Sequence, residues 1–134
     1  IGYVGSEYAF AQKITYARIQ NARGEFVLPS SATISAAASG VIPADTRCSI
    51  TNADAAGAYP ISTFTWMIIY KEQNYSDRSK EQAMATLDLL QYILSDEAQN
   101  ITSEVHYAPL PAKAKELSMT NLKTVTYDGV AILQ

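Results

Sequence analysis

The chain has 134 residues, 48% of them apolar and 17% charged, with a formal net charge of −3. That is enough chain for one domain with a buried core, and the composition excludes a disordered segment. Lys and Arg are scattered rather than clustered, which argues against nucleic acid as a partner, and no apolar run reaches the roughly 18–20 residues that carry a helix across a bilayer.

Ile1-Gly2-Tyr3-Val4 reads as a short buried strand and Gly5-Ser6 as a turn, with Ser6 capping a helix through Lys13. The opening inside a strand pattern, with no initiator Met, signal peptide or early lipid-attachment Cys, leads us to expect an upstream portion of the protein. Ile14, Tyr16 and Ile19 favour a strand, Asn21 to Gly24 a turn, and Phe26-Val27-Leu28 an antiparallel return. Pro29 stops that strand because it has no N–H to give. Ser30 or Ser31 then caps a short Ala-rich helix, with Gly40 expected as its C′ residue.

A strand is expected near Arg47 to Thr51, and the polar stretch Asn52 to Gly57 is the best candidate for a linker. The strongest strand pattern is Ile61 to Tyr70, whose Thr65-Trp66-Met67-Ile68-Ile69 core leaves little polar face. Such a run suits a central strand covered on both sides. Lys71 to Ser79 reads as a charged, exposed connection. A helix follows over Lys80 to Leu94, with Met84, Leu87, Leu90 and Leu94 on one stripe. Ser95-Asp96 caps a second helix through Val105, where Asp96 and Glu97 suit the positive end of the helix dipole. Pro109 and Pro111 interrupt the pattern before a third helix over Ala112 to Leu122, and Val125 to Leu133 reads as a terminal hairpin or loop around Asp128-Gly129. Short strands with several helices in mixed order define an α/β or α+β sheet layered with helices.

Chemistry of its own is poorly supported. His106 has no nucleophile pattern beside it and reads as a structural or surface residue. Cys48 has no second cysteine to pair with and reads as a small buried hydrophobe. One Cys and one His exclude the usual structural zinc sets, and Asp88, Asp96 and Glu97 lack the alternating pattern of a calcium loop. No glycine-rich phosphate cradle is present. The sequons Asn74-Tyr75-Ser76 and Asn100-Ile101-Thr102 are short matches of the kind chance produces, and the nine tyrosines are spread along the sequence rather than grouped as a cage. No catalytic residue, metal or cofactor is expected.

Three stretches, in order, resemble the periplasmic phosphate-binding proteins of ABC importers. They are Ile1-Gly2-Tyr3-Val4 with Glu7 to Ala11; Ala58-Tyr59-Pro60-Ile61-Ser62-Thr63-Phe64-Thr65-Trp66 with Ile68 to Lys71; and Leu89-Leu90 through Leu94-Ser95-Asp96-Glu97-Ala98-Gln99 with Tyr107-Ala108-Pro109-Leu110-Pro111. Each is a weak motif alone; their order and spacing across nearly all 134 residues make the joint match specific. The resemblance implies the C-terminal half of a two-lobed, Venus-flytrap α/β fold, a mixed sheet with flanking helices. Residues 1–58 would belong to the second lobe, 59–70 to a hinge and crossover strand, and 71–134 to helices returning to the first lobe.

It further implies a non-enzymatic, periplasmic or otherwise extracytoplasmic protein, lipid-anchored through an upstream N-terminus. Such a protein would hold inorganic phosphate for a membrane permease. The family's phosphate ligands are backbone N–H groups at helix N-termini, Ser and Thr hydroxyls, an Arg and an Asp. They lie upstream of the Gly-Tyr-Val strand, so the missing N-terminal half is itself an expected partner and none of its ligands maps onto this chain. Tyr59, Ser62 and Thr63 fall near the cleft or hinge, where satisfied hydroxyls of a crossover outweigh ligand contact. An enzymatic, signalling or adhesion relative is the alternative, since fold does not fix function.

Overall fold

In the computed structural model, which describes residues 2–133, the C-terminal helices form where caps and apolar stripes place them. Helix α3 spans Lys80–Leu94. Ser79 Oγ accepts from the Gln82 N–H at 3.3 Å while Gln82 Oε1 accepts from the Ser79 N–H at 2.9 Å, a reciprocal capping box that satisfies two otherwise orphaned donors. Helix α4 (Asp96–Glu104) starts at Ser95, whose Oγ accepts from the Ala98 N–H, and α5 (Ala112–Leu122) starts behind Pro111. A hairpin, β3 (Thr126–Tyr127) and β4 (Val130–Ala131), is the last element. Asp128 and Gly129 both take positive φ in it, as a two-residue type I′ turn needs.

The stripe on α3 makes the larger core. Leu87 is fully buried against Leu122 and Val125, with Leu90, Leu94, Met119, Ile132 and Leu133 packed around them. Met84, on the same stripe, stays 44% exposed. Gln99 explains why a polar residue stands at the start of α4. Its buried amide donates to the Ile93 carbonyl at 2.8 Å and accepts from the Leu110 N–H at 2.7 Å, joining the end of α3 to the proline-bounded segment before α5.

The N-terminal part has helix α1 (Ser6–Ala11), a hairpin of β1 (Ile19–Gln20) with β2 (Phe26–Val27), and helix α2 (Ser31–Ala37). Ile19 pairs Val27 and Gln20 pairs Phe26. The buried Asn21 organises the hairpin turn. Its Oδ1 accepts from the N–H groups of Arg23 and Glu25, and its Nδ2 donates to Glu25 Oε2 and the Ala58 carbonyl. A second, small core of Ala37, Ala38, Ile50 and Ala58 sits beneath, with Phe64 against it.

Several expectations fail, and for one main reason. A strand needs a partner for its backbone N–H and C=O groups, and apolar pattern alone does not supply one. Gly2 to Val4 are exposed and unpaired, Tyr3 at 96% (Ile1 lies outside the described residues), and Ile14 and Tyr16 precede the short β1 rather than extending it. Arg47 to Thr51 is irregular. Ile61 to Tyr70 is irregular too, so the expected mixed sheet is represented among the described residues by two hairpins and one parallel bridge, Glu72 to Thr126. The protein is helix-rich with small sheets, consistent with the α/β class.

Other corrections are local. Gly5 rather than Ser6 is the N-cap of α1, which ends at Ala11 instead of Lys13. The C-cap of α2 is Ala38, so Gly40 lies beyond the C′ position, and its φ is not left-handed. The stretch Asn52 to Gly57 is no loose linker. The Gly57 N–H donates to Glu25 Oε2 at 2.8 Å, Arg23 pairs with Asp54 at 2.8 Å, and the Asn52 N–H donates to the Pro60 carbonyl at 2.7 Å.

Replacing Gln99 by Met keeps the volume and removes both hydrogen bonds. The Ile93 carbonyl and the Leu110 N–H are then left without partners, and we expect a loss of about 2 kcal/mol in urea unfolding. A loss below about 0.5 kcal/mol would mean that water satisfies both groups.

Candidate functional site

The segment from Tyr59 to Glu72 is pinned at both ends and unpaired in the middle. At the first end, the Tyr59 N–H donates to the Thr33 carbonyl of α2 at 2.9 Å, and Thr51 Oγ1 donates to the Ser62 carbonyl at 3.2 Å. Ser62 is buried and donates its hydroxyl to the Tyr59 carbonyl at 2.7 Å. At the far end, the Thr126 N–H donates to the Lys71 carbonyl and the Gln73 N–H to the Thr126 carbonyl, both at 2.8 Å. Between these anchors, among the described residues, no backbone N–H from 63 to 70 finds a partner. Trp66, Met67, Ile68 and Tyr70 are exposed, Ile68 at 94%.

Of the three residues singled out from sequence, the structure brings Tyr59 and Ser62 together and leaves Thr63 apart. Tyr59 is partly buried, and that burial raises its phenol above the usual tyrosine range. Ser62 has spent its hydroxyl proton on the Tyr59 carbonyl, and Thr63, exposed, donates to the Phe64 carbonyl at 3.1 Å. Among the described residues, no Arg or Lys side chain is hydrogen-bonded to any of the three. The arrangement fastens a turn.

Beside the unpaired segment is a recess of about 50 Å³ lined by Ile42, Thr46, Phe64, Trp66, Leu110 and Ala114. Trp66 Nε1 donates to the Thr46 carbonyl at 3.2 Å across its edge, and the Phe64 and Trp66 rings meet edge-on. A second concavity, a wide open dish, surrounds Arg78 at the start of α3. Its two terminal nitrogens are committed to structure, while Nε is buried without a hydrogen-bond partner among the described residues. Nη1 donates to the Tyr75 hydroxyl at 2.9 Å, Nη2 donates to the Gln82 carbonyl at 3.0 Å and to Thr86 Oγ1, and the group lies 5.6 Å over the Tyr75 ring.

The far anchor centres on Glu72, in a stretch whose residues read as exposed connection. Its carboxylate accepts from the N–H groups of Asn74 (2.8 Å), Gly129 (3.0 Å) and Asp128 (3.1 Å), and from Thr126 Oγ1 (2.9 Å). The Asn74 N–H first, then the Gly129 N–H and the Thr126 hydroxyl, hold its pKa down to about 2 from the ordinary 4.5. The neighbouring Gln73 is 1% exposed rather than solvated. Local pattern carries no sign of this, because the partners of Glu72 on the hairpin are 54 to 57 residues away. His106 is exposed, with its ring edge-on to Phe10 at 5.9 Å, and Cys48 is partly buried. Among the described residues, no group of three or more His, Cys, Asp or Glu could hold a metal ion, and no helix is long and apolar enough to cross a membrane.

The chain is thus helix-rich with small sheets, and its irregular 59–72 segment is fastened at both ends by hydrogen bonds. The chain is related by sequence to the phosphate-binding proteins named PstS. It is 36% identical to the phosphate-binding protein PstS of Xylella fastidiosa (strain Temecula1) across 83% of its own length. It is 28% identical to that of Methanocaldococcus jannaschii across 93%, and 29% identical to that of Haemophilus influenzae across 92%. It spans about a third of the length of these curated relatives, 30%, 34% and 36% respectively. No protein-family model matches it.

The lowered pKa of Glu72 makes the far anchor acid-sensitive. Because the folded-state value lies below the ordinary one, the contribution is fully present above about pH 4.5 and is lost as pH falls through about 2. We expect Glu72→Gln to flatten the acid limb of the unfolding profile in that window, read by far-UV circular dichroism. An unchanged acid limb would show that the anchor does not hold the hairpin.

Proposed function

We propose that this chain is part of a two-lobed solute-binding protein that holds inorganic phosphate between its lobes and presents it to an ABC permease outside the cytoplasm. The carrying observation is the likeness to phosphate-binding proteins over 83–93% of its length. In this reading residues 1–58 belong to the second lobe, 59–70 form the crossover, and 71–134 return to the first lobe. The phosphate ligands come from loops upstream of these residues, in the portion of the relatives that lies outside the matched length.

The unpaired segment supports the division. An apolar run whose backbone N–H groups have no partner in the protein is suited to completion by strands from elsewhere. Covering Trp66, Met67, Ile68 and Tyr70 would contribute on the order of 1.5–3 kcal/mol per large side chain. Tyr59, Ser62 and Thr63 act as the fastened foot of a hinge rather than as ligands. Closure of the lobes about that hinge is a population shift, driven by the anion's tighter binding to the closed state. Turnover has no part in it.

Two measurements test this. Calorimetry of the 134 residues alone should show no phosphate binding, whereas a longer protein that includes the upstream loops should bind phosphate and leave it chemically unchanged. Micromolar binding by the 134 residues alone would overturn the division of labour, and no binding by the longer protein would overturn phosphate as the ligand. Trp66, the single tryptophan here, reports on the crossover. With any upstream tryptophan replaced by phenylalanine, its emission should shift to the blue in the longer protein, and an unchanged spectrum would mean that the segment stays uncovered.

A further inference from the structure

We propose that the Asp128–Gly129 turn is a latent site of aspartate isomerisation that Glu72 and Asn74 hold closed. Glycine has no Cβ, so the amide nitrogen that follows the aspartate is open to approach by its side chain. The reaction needs only water. The Gly129 nitrogen loses its proton to solvent base and adds to Asp128 Cγ, the bond from Cγ to a side-chain oxygen breaks, and a water leaves behind a five-membered succinimide. A second water then opens the ring. Cleavage at the Cγ–N bond restores aspartate, whereas cleavage between the Asp128 backbone carbonyl and the nitrogen leaves isoaspartate, with the backbone running through Cβ and Cγ. One water is lost and one is gained.

Both residues are exposed at the tip of the hairpin, open to that chemistry. Every group that must move is nevertheless held. The Gly129 N–H donates to Glu72 Oε2 at 3.0 Å and the Asp128 N–H to Glu72 Oε1 at 3.1 Å. Asp128 Oδ1, on the electrophilic carboxyl, accepts from Asn74 Nδ2. Asn74 is in turn fixed by its own N–H on Glu72 Oε1 at 2.8 Å. A carboxylate against the Gly129 nitrogen also opposes the negative charge that the attacking nitrogen must develop. Attack therefore waits for the turn to open at both bonds.

The product would not refit. Thr126 pairs Ala131 and Tyr127 pairs Val130 across a two-residue loop, and an added backbone carbon there breaks the register. Ile132 and Leu133, which follow directly, pack on the core around Leu87. Isomerisation would thus release the C-terminal hairpin from α3 in aged molecules.

The test is ageing at neutral pH and 37 °C with isoaspartate counted by fragmentation mass spectrometry. The folded protein should form isoaspartate at 128 at least about tenfold more slowly than the same protein in urea, since attack waits on local opening. Glu72→Gln and Asn74→Ala should each raise the folded rate several-fold, and Asp128→Glu should abolish the signal. Amide exchange at Gly129 should accelerate in Glu72→Gln while the amides of α3 keep their protection, which separates release of the turn from global unfolding. Equal rates in folded and urea-unfolded wild type would overturn the proposal. So would variants whose turn exchanges faster yet isomerises no faster.

Discussion

The carboxylate of Glu72 gathers four donors from two segments that are far apart in sequence, and most of the C-terminal architecture hangs on that meeting. It fixes the end of the irregular 59–72 segment against β3 and holds the type I′ turn between β3 and β4. By fixing the hairpin it also keeps Ile132 and Leu133 over Leu87. A carboxylate among so many backbone N–H groups is stabilised as the anion, which is why its pKa falls. The same donors that lower the pKa supply the geometry, so charge and fold are one constraint here.

Gln99 and Asn21 repeat the device with neutral amides. Each is a buried polar side chain whose hydrogen bonds reach beyond its own element: Gln99 from α4 to Ile93 and Leu110, Asn21 from the first hairpin to Ala58. Small cores made largely of alanine and leucine give modest burial energy, and such amides add specificity of register to it. They also account for two features of the primary structure that read as punctuation, the Asn before Arg23-Gly24 and the Gln that ends Ser95-Asp96-Glu97-Ala98-Gln99.

What could be read from the residues alone divides along the same line. Helices α3 and α5 were legible to the residue, because caps and periodicity are local and the helix satisfies its own backbone. The first hairpin turn was legible from Asn21 to Gly24, while Asp128-Gly129 marked a hairpin or a loop and the pairing of β3 with β4 decided between them. The strand pattern of Ile61 to Tyr70 is present in the residues, but a strand exists only with a neighbour, and none is offered among residues 2–133. Glu72 and Gln73 were missed because their partners are distant or are backbone atoms, which composition does not announce. At the candidate site, Ser62 could be named from its place in a resembling segment. That its hydroxyl is consumed by the Tyr59 carbonyl follows from the local backbone turn, which the residue types do not specify.

The unpaired backbone between Thr63 and Tyr70 also bears on how such a protein is made. In the proposed reading the segment is completed by a sheet made of earlier residues, which would already be formed when the segment adds to it. Until it does, it is an apolar ribbon with a free edge, the sort of surface that pairs with its own kind. Synthesis without that receiving sheet would leave Trp66 to Tyr70 as the point at which copies of the protein adhere to one another.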